Sequence, residues 1–286
     1  MFGTLFLAAT PIGNPADASS RLIQILQTAD IVAAEDSRRT VRLLRDLGVS
    51  APGQIISFYE AVEEKKTPEL IAQLQAGKTI VVLSDAGMPT VSDPGYRLVR
   101  SAIEANIQIR VLPGPSAVLS ALAISGLPTD RFTFEGFLPR KSGARDKALQ
   151  DLRLEQRTMI FFEAPHRLQE SINQMGPVFG WDRRAVICRE LTKTHEEIIR
   201  GTLEDLKQWC EQEILGEITI VIEGAPEVVH TDPHEWVELV NQRMQSGMTS
   251  RDAIADVAIE LGVPKRNVYD AVLTARSEHV NNDFPK

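Results

Sequence analysis

Between Thr4 and Pro113, short apolar runs rich in Val, Ile, Leu and Ala alternate with longer stretches whose apolar positions recur at helical spacing. The runs at residues 4–9, 31–35, 55–58, 79–85 and 108–113 are the length of strands and too short for helices. A helix-length connection between successive strands is what parallel pairing requires, so this half predicts a mostly parallel sheet with covering helices. A second series follows at residues 131–137, 158–164, 185–191, 196–201 and 217–224. Its later members are joined by short connections, which predicts antiparallel pairs and therefore a mixed sheet. The break falls at Pro113-Gly114-Pro115, ahead of a small-residue helix at 116–125. The expected architecture is α/β, with domains at 1–113 and 114–226. Beyond Pro226 and Thr231-Asp232-Pro233, helical stretches at 233–245, 250–261 and 265–276 predict a small helical unit spanning 233–286. Its Gly262-Val263-Pro264 joint suits a plain helical hairpin better than a helix-turn-helix on pattern alone.

Composition narrows the class. The 286 residues, 43% apolar and 24% charged, are enough for two domains with cores of their own and contain no low-complexity stretch. Cys188 and Cys210 have neither metal nor disulfide spacing, which fits a reducing compartment and a cytoplasmic protein. The apolar start lacks a basic leader and soon reaches Pro11 and Asn14, so it reads as a strand, and no run reaches membrane-spanning length. A formal net charge of −8 means that any nucleic-acid site must be a local basic patch.

Common nucleotide signatures fail. Gly77-Lys78-Thr79 mimics the end of a phosphate loop, but Ala72 stands where the upstream glycine belongs and the residues enter a strand. There is no G-x-G-x-x-G, and His195-Glu196-Glu197 lacks a second histidine, so no metal is implied. Four glycine, proline and polar clusters do stand at strand ends, where open α/β sheets bind ligands. They are Thr10-Pro11-Ile12-Gly13-Asn14, Ser84-Asp85-Ala86-Gly87-Met88-Pro89, Ser92-Asp93-Pro94-Gly95-Tyr96 and Pro113-Gly114-Pro115-Ser116. Each alone suits a capped turn as well as a site; together they favour a binding crevice.

With Glu35-Asp36-Ser37-Arg38-Arg39-Thr40, Phe134-Glu135-Gly136-Phe137-Leu138-Pro139-Arg140-Lys141, Glu163-Ala164-Pro165-His166-Arg167 and Arg189-Glu190-Leu191-Thr192-Lys193, these clusters form an ordered string from Leu5 to about Gly224. The string resembles the tetrapyrrole methylase superfamily of S-adenosylmethionine-dependent methyltransferases, in the branch acting on small-subunit ribosomal RNA. The resemblance implies two α/β domains with the methyl donor in the cleft between them, a homodimer, no metal, and 2′-O-methylation of a decoding-centre cytidine in 16S rRNA. It places donor contacts at Pro11, Asp85, Ala86, Gly87, Met88, Ser116, Ala117, Phe162, Leu191 and Ile218. Ser37 and Arg39 replace the more usual Thr and His, Met88 replaces Thr, Pro15 replaces Leu, and Phe58-Tyr59-Glu60-Ala61-Val62-Glu63 stands where the branch is His-rich. No histidine role is available in that loop.

Methyl transfer from a sulfonium to a hydroxyl gains rate from alignment and exclusion of water. A positioned base adds ~10²–10⁴-fold. The candidates are Glu35, Asp36, Glu190 and Lys193. Asp36 or Ser37 equally suits a helix cap, and Lys193 would need a depressed pKa, being otherwise a phosphate contact or ion-pair partner. For RNA, a flexible basic loop at 140–147 offers Arg140, Lys141, Arg145 and Lys147. Arg38 and Arg39 can guide the strand near the crevice mouth, Phe137 can stack a base, and His166 and Arg167 complete the expected contacts. Competing readings are C-methylation of a tetrapyrrole and a non-catalytic ribosome-associated RNA-binding protein, the latter favoured if the methyl donor does not bind.

Overall fold

The computed structural model describes residues 2–50, 53–226 and 232–282. By contacts the chain divides into Met1–Ala225 and Pro226–Lys286. In the first unit, β1 (Thr4–Ala8), α1 (Ser20–Thr28), β2 (Ile31–Ala34), α2 (Ser37–Asp46), β3 (Gln54–Ser57), α3 (Glu60–Gln75), β4 (Ile80–Leu83), α4 (Tyr96–Glu104) and β5 (Gln108–Leu112) follow in chain order. The five strands form a parallel sheet ordered β3-β2-β4-β1-β5. Connections run one way from β1 to β3 and the other way from β3 to β5. Right-handed crossovers therefore put α1 and α2 on one face and α3 and α4 on the other. The alternating strand residues agree: Val32, Val81 and Leu83 pack with Leu22, Leu26 and Leu44, whereas Ile31, Ala33, Ile80 and Val82 pack with Leu70, Leu74 and Leu98. Every strand ends on the same edge, where such sheets receive ligands.

The second half of this unit contains α5 (Ala117–Ser125), β6 (Phe132–Phe137), α6 (Ser142–Asp151), β7 (Thr158–Glu163), α7 (Pro165–Phe179), β8 (Arg184–Arg189), β9 (Glu197–Thr202), α8 (Leu203–Trp209) and β10 (Ile218–Ile222). The sheet is mixed, ordered β6-β7-β10-β8-β9, with β6 and β7 parallel and the remaining pairs antiparallel. The expected two-sheet α/β architecture is thus present. Strand ends differ from the pattern-based ranges by a residue or two, mostly because polar and proline residues such as Glu35, Asp85 and Pro113 turn out of the ladder. One face of the second sheet packs on α6, α7 and α8. The other meets α5, whose Val118, Ala121 and Leu122 join Ile160, Val186 and Val221 in a core that also takes in Ile12. Ile12 belongs to the first half, so the two sheets share an apolar seam and fall in one compact unit.

The flexible basic loop expected at 140–147 is corrected: α6 begins at Ser142. Arg145 and Leu149, four residues apart, are its buried positions. Arg145 is fully buried, ion-paired with Glu170 and hydrogen-bonded to Gln174, both on α7. Gln174 in turn donates to Ser142 Oγ at 2.8 Å. Arg145 therefore fastens α6 to α7 and presents no charge to a solvent-borne phosphate.

In the second unit, α9 (Pro233–Gln245), α10 (Ser250–Glu260) and α11 (Lys265–Asn282) each pack against the other two. Trp236, Val240, Ile254, Val257, Val268 and Val272 form its core. The third helix runs six residues past the expected 276, to Asn282. Among the described residues no helix is long and apolar enough to cross a membrane.

Candidate active site

A cavity of about 440 Å³ opens at the ligand-receiving edge of the first sheet and is closed by the second. From the first half it is lined by Ile12, Glu35, Arg39, Asp85 to Met88 and Val91 to Asp93, and from the start of α5 by Ser116, Ala117 and Val118. The second sheet contributes Phe137, Phe162 to Pro165 and Gly216 to Thr219. Among the described residues the walls combine apolar faces with five carboxylates, Glu35, Asp85, Asp93, Glu163 and Glu217, and one arginine, Arg39.

Local sequence explains how the floor is held. Thr10 and Gly87 exchange both backbone hydrogen bonds, at 2.8 and 3.1 Å, outside the regular ladders. Thr10 Oγ1 donates to the Ser84 carbonyl at 3.2 Å, and Ser84 Oγ donates to the Gly87 carbonyl at 3.0 Å. Gly87 has φ +81°, a conformation that a side chain with a Cβ adopts only under strain. Across the seam, the Asn14 amide donates to Thr192 Oγ1 at 3.1 Å, tying the two halves together beside the cavity. Phe162 is packed edge-on against Phe134 and tilted against Phe137, giving an aromatic wall near the mouth.

The carboxylates are the chemical centre of the cavity. Parallel pairing of β2 with β4 brings Glu35 and Asp85 to adjacent strand ends. The Asp85 amide donates to Glu35 Oε2 at 3.2 Å, and the Asp36 amide donates to Asp85 Oδ1 at 3.0 Å. Arg39 reaches Asp85 Oδ2 at 3.4 Å. Burial pushes both carboxyls above their ordinary values; the Asp85 charge adds to the effect at Glu35, and the charges of Asp36 and Glu217 add to it at Asp85. Asp93 is pushed furthest, to about 7, first by burial and then by the neighbouring charges of Glu35 and Asp85. Glu163 has a different role. Its Oε2 accepts from Ser171 Oγ at 2.5 Å, its Oε1 accepts from the Ala164 amide at 2.8 Å, and Arg167 lies 3.4 Å away.

Several expected site residues meet at this place. Asp85, Ala86, Gly87, Met88, Ser116, Ala117, Phe162 and Ile218 line the cavity, as does the base candidate Glu35. Pro11 is buried beside the Thr10 bridge, and Leu191 is buried in the core with α5, so neither is part of the lining. Asp36 is the N-cap of α2, accepting from the Arg38 amide at 2.8 Å as the capping alternative has it, and it is not among the lining residues.

Lys193 is corrected as a base. Its ammonium sits 2.7 Å from Glu190 Oε1 and 3.2 Å from Glu217 Oε2. Burial pulls its pKa down, but the two carboxylates more than offset this and the pKa ends above the usual lysine value. The Glu190 carboxyl is raised by burial but lowered more by Lys193 and the Glu217 amide, so it ends below the usual carboxylate range. Both are committed to an ion pair beside the lining.

Among the expected RNA contacts, Arg167 is also corrected. It donates to the carbonyls of Leu138 and Pro139 at 2.7 and 3.2 Å and is mostly buried, so it clamps the segment leading into α6. Arg38, Arg140, Lys141, Lys147 and His166 are exposed. Three lining carboxylates, Asp93, Glu163 and Glu217, are not singled out as site residues by sequence alone. Asp93 lies in the Ser92-Asp93-Pro94-Gly95-Tyr96 cluster and Glu163 ends an apolar strand, whereas Glu217 carries no comparable signal.

The chain matches the family of Tetrapyrrole (Corrin/Porphyrin) Methylases over residues 4–207. It is 46% identical, over 96% of both chains, to a protein of Mycobacterium tuberculosis named ribosomal RNA small subunit methyltransferase I. It is 44% identical, over 94% of both, to a protein of the same name from Halalkalibacterium halodurans. Among solved structures it is similar in fold to a uroporphyrin-III C-methyltransferase of Thermus thermophilus complexed with S-adenosyl homocysteine. There the TM-score is 0.55 at 17% identity, covering 77% of this chain and 96% of that one. Fold, motif string and relatives agree, and the chain belongs to the tetrapyrrole methylase family of methyltransferases, among the relatives named ribosomal RNA small subunit methyltransferase I.

Proposed function

We propose that this chain transfers a methyl group from S-adenosylmethionine to the 2′-hydroxyl of a decoding-centre cytidine in 16S ribosomal RNA. The observation that carries the reading is the carboxylate-rich cavity between the two sheets, in a chain whose full-length relatives are named for methylating the small ribosomal subunit. The residues suit such a donor. Ile12, Ala117, Val118, Phe162 and Ile218 offer apolar surface to a purine, while Glu35 and Asp85 suit its hydroxyls and positive charges. S-adenosylmethionine supplies a methyl group on a positively charged sulfur.

The rest of the chemistry falls to the protein. Asp93 accepts the proton of the attacking hydroxyl, because a carboxylate with a raised pKa is a stronger base that is still ionised near neutrality. Protonating it also relieves its repulsion with Glu35 and Asp85. The closing wall of Phe162, Ala164 and Pro165 keeps water from the reacting centre. Calorimetric titration of the folded protein with S-adenosylmethionine should give saturable heat; absence of any heat removes the donor from the account.

RNA approaches over Arg140, Lys141 and Lys147, with Arg38, Arg39 and His166 at the rim and Phe137 as a stacking face. Neutralising Arg140, Lys141 and Lys147 together should lower the salt slope of RNA binding by about 2, at ~0.7 per single-strand phosphate contact. Fluorescence anisotropy across a salt series measures this, and an unchanged slope excludes that surface. The working form is a homodimer: Val111 on the edge strand β5 and Leu119 and Ile124 on α5 are large apolar residues left exposed in one copy. Its place of work is the cytoplasm, with the ribosome.

A further inference from the structure

The loop that carries Asp93 is held from outside the cavity. Thr90, Ser92 and Gly95 have φ of 76°, 63° and 127°, so three residues within six occupy left-handed backbone, two of them without glycine's freedom. Such a segment persists only where surrounding contacts fix it. Within the loop, the Thr90 amide donates to the Pro94 carbonyl at 3.3 Å. Beyond it, α4 starts at Tyr96 with Gly95 as its N-cap, and glycine has no side chain to satisfy the first amides of the helix.

The acceptor comes from another helix. Glu63 on α3 is buried, and its Oε1 accepts from the Gly95 amide at 3.0 Å and from the Arg97 amide at 2.9 Å. A carboxylate at a helix N-terminus is also favoured by the helix dipole. Its own backbone is anchored: Thr67 Oγ1 donates to the Glu63 carbonyl at 2.7 Å, and Leu70 and Leu74 of α3 pack with Leu98 and Ala102 of α4. On the far side of the loop, Ser92 approaches the bulge at Gly136 in β6. The loop is thus pinned at its C-terminal end by Glu63 and faces the second sheet at its middle.

We infer that Glu63 is a positioning residue for methyl transfer: by capping α4 from α3, it fixes the 90–95 loop and thereby the placement of Asp93 in the cavity. This rests on the role given to Asp93 above. Glu63 touches no reacting atom, and its effect passes through the two backbone amides. What matters is then an oxygen acceptor at the right reach, more than the negative charge.

The test inverts the usual ranking of conservative substitutions. Glu63→Gln keeps an acceptor oxygen at the same length, whereas Glu63→Asp keeps the charge but withdraws it by one methylene. Single-turnover methyl transfer to small subunits, with the full chain, should show the saturating rate constant falling about 10–100-fold in Glu63→Asp, the scale of a misplacement near 1 Å. Glu63→Gln should stay within about fivefold of the parent, and the half-saturating concentration of small subunits should hardly move in either variant. Amide hydrogen exchange supplies a readout independent of activity: protection at Gly95 and Arg97 is kept in Glu63→Gln and lost in Glu63→Asp.

In a double-mutant cycle, Glu63→Asp should cost little once Asp93→Asn is present, because the group it positions is already disabled. Full activity in folded Glu63→Asp, or additive losses in the cycle, overturns the inference. Should Asp93→Asn itself leave the rate unchanged, the fault lies in the role given to Asp93. Loss of amide protection would then still report the cap.

Discussion

Asp93→Asn slows the chemical step by about 10²–10⁴-fold, the range of a lost general base. Donor affinity should change little by comparison, because asparagine keeps the shape and an acceptor oxygen. The pH dependence separates a base from a mere contact. With the Asp93 carboxyl pushed up to about 7, the group is protonated below that pH and cannot accept the substrate proton. The single-turnover rate should therefore rise with pH, about tenfold per unit on the acid side, and level off above about 7, and the variant should lose this limb. An acid limb that persists unchanged in Asp93→Asn assigns the titration elsewhere, with Glu35 next in line because it lines the same cavity and is shifted in the same direction.

The second large effect is on stability and concerns a residue that sequence alone places in the RNA patch. Arg145→Ala should destabilise the protein by about 2–4 kcal/mol, from a truncated, fully buried side chain and a broken ion pair to Glu170. Arg145→Met, which refills most of the volume, should cost about 1 kcal/mol or less. Arg140→Ala, on the exposed segment before α6, should lie within about 0.5 kcal/mol of the parent. Urea denaturation of the three variants measures this. Equal stability of Arg145→Ala and Arg140→Ala would mean that Arg145 does not fasten α6 to α7.

Arg145 also marks the limit of what the chain reveals before folding. The strands were legible because parallel central strands such as Ile80–Leu83 are apolar throughout, and their ends are punctuated by Ser84-Asp85 or Pro113-Gly114-Pro115. The crevice was legible for the same reason, since those end clusters converge on one edge of the sheet. Arg145 was not legible, because a cation beside Gly143 reads as solvated loop and nothing local announces partners at Glu170 and Gln174 on another helix. Arg167 and Lys193 misled in the same way: each is a cation in a motif, consumed by acceptors far away or by two carboxylates at once.

Asp93 is the opposite case. Its cluster was visible, but its role depends on Glu35, which stands 58 positions earlier and reaches it only through the β3-β2-β4 strand order. Glu63 is hidden further still, because a cap supplied from a neighbouring helix leaves no pattern at the helix it caps.

A cavity that aims a methyl group at a sugar oxygen of small-subunit RNA must leave that methyl on the ribose. Purified protein incubated with isotopically labelled S-adenosylmethionine and unmodified small subunits, followed by mass spectrometry of RNA fragments, measures it directly. Label is expected on the ribose of one decoding-centre cytidine. Label on a base carbon or nitrogen, or no label on the RNA from protein that binds the donor, would contradict it.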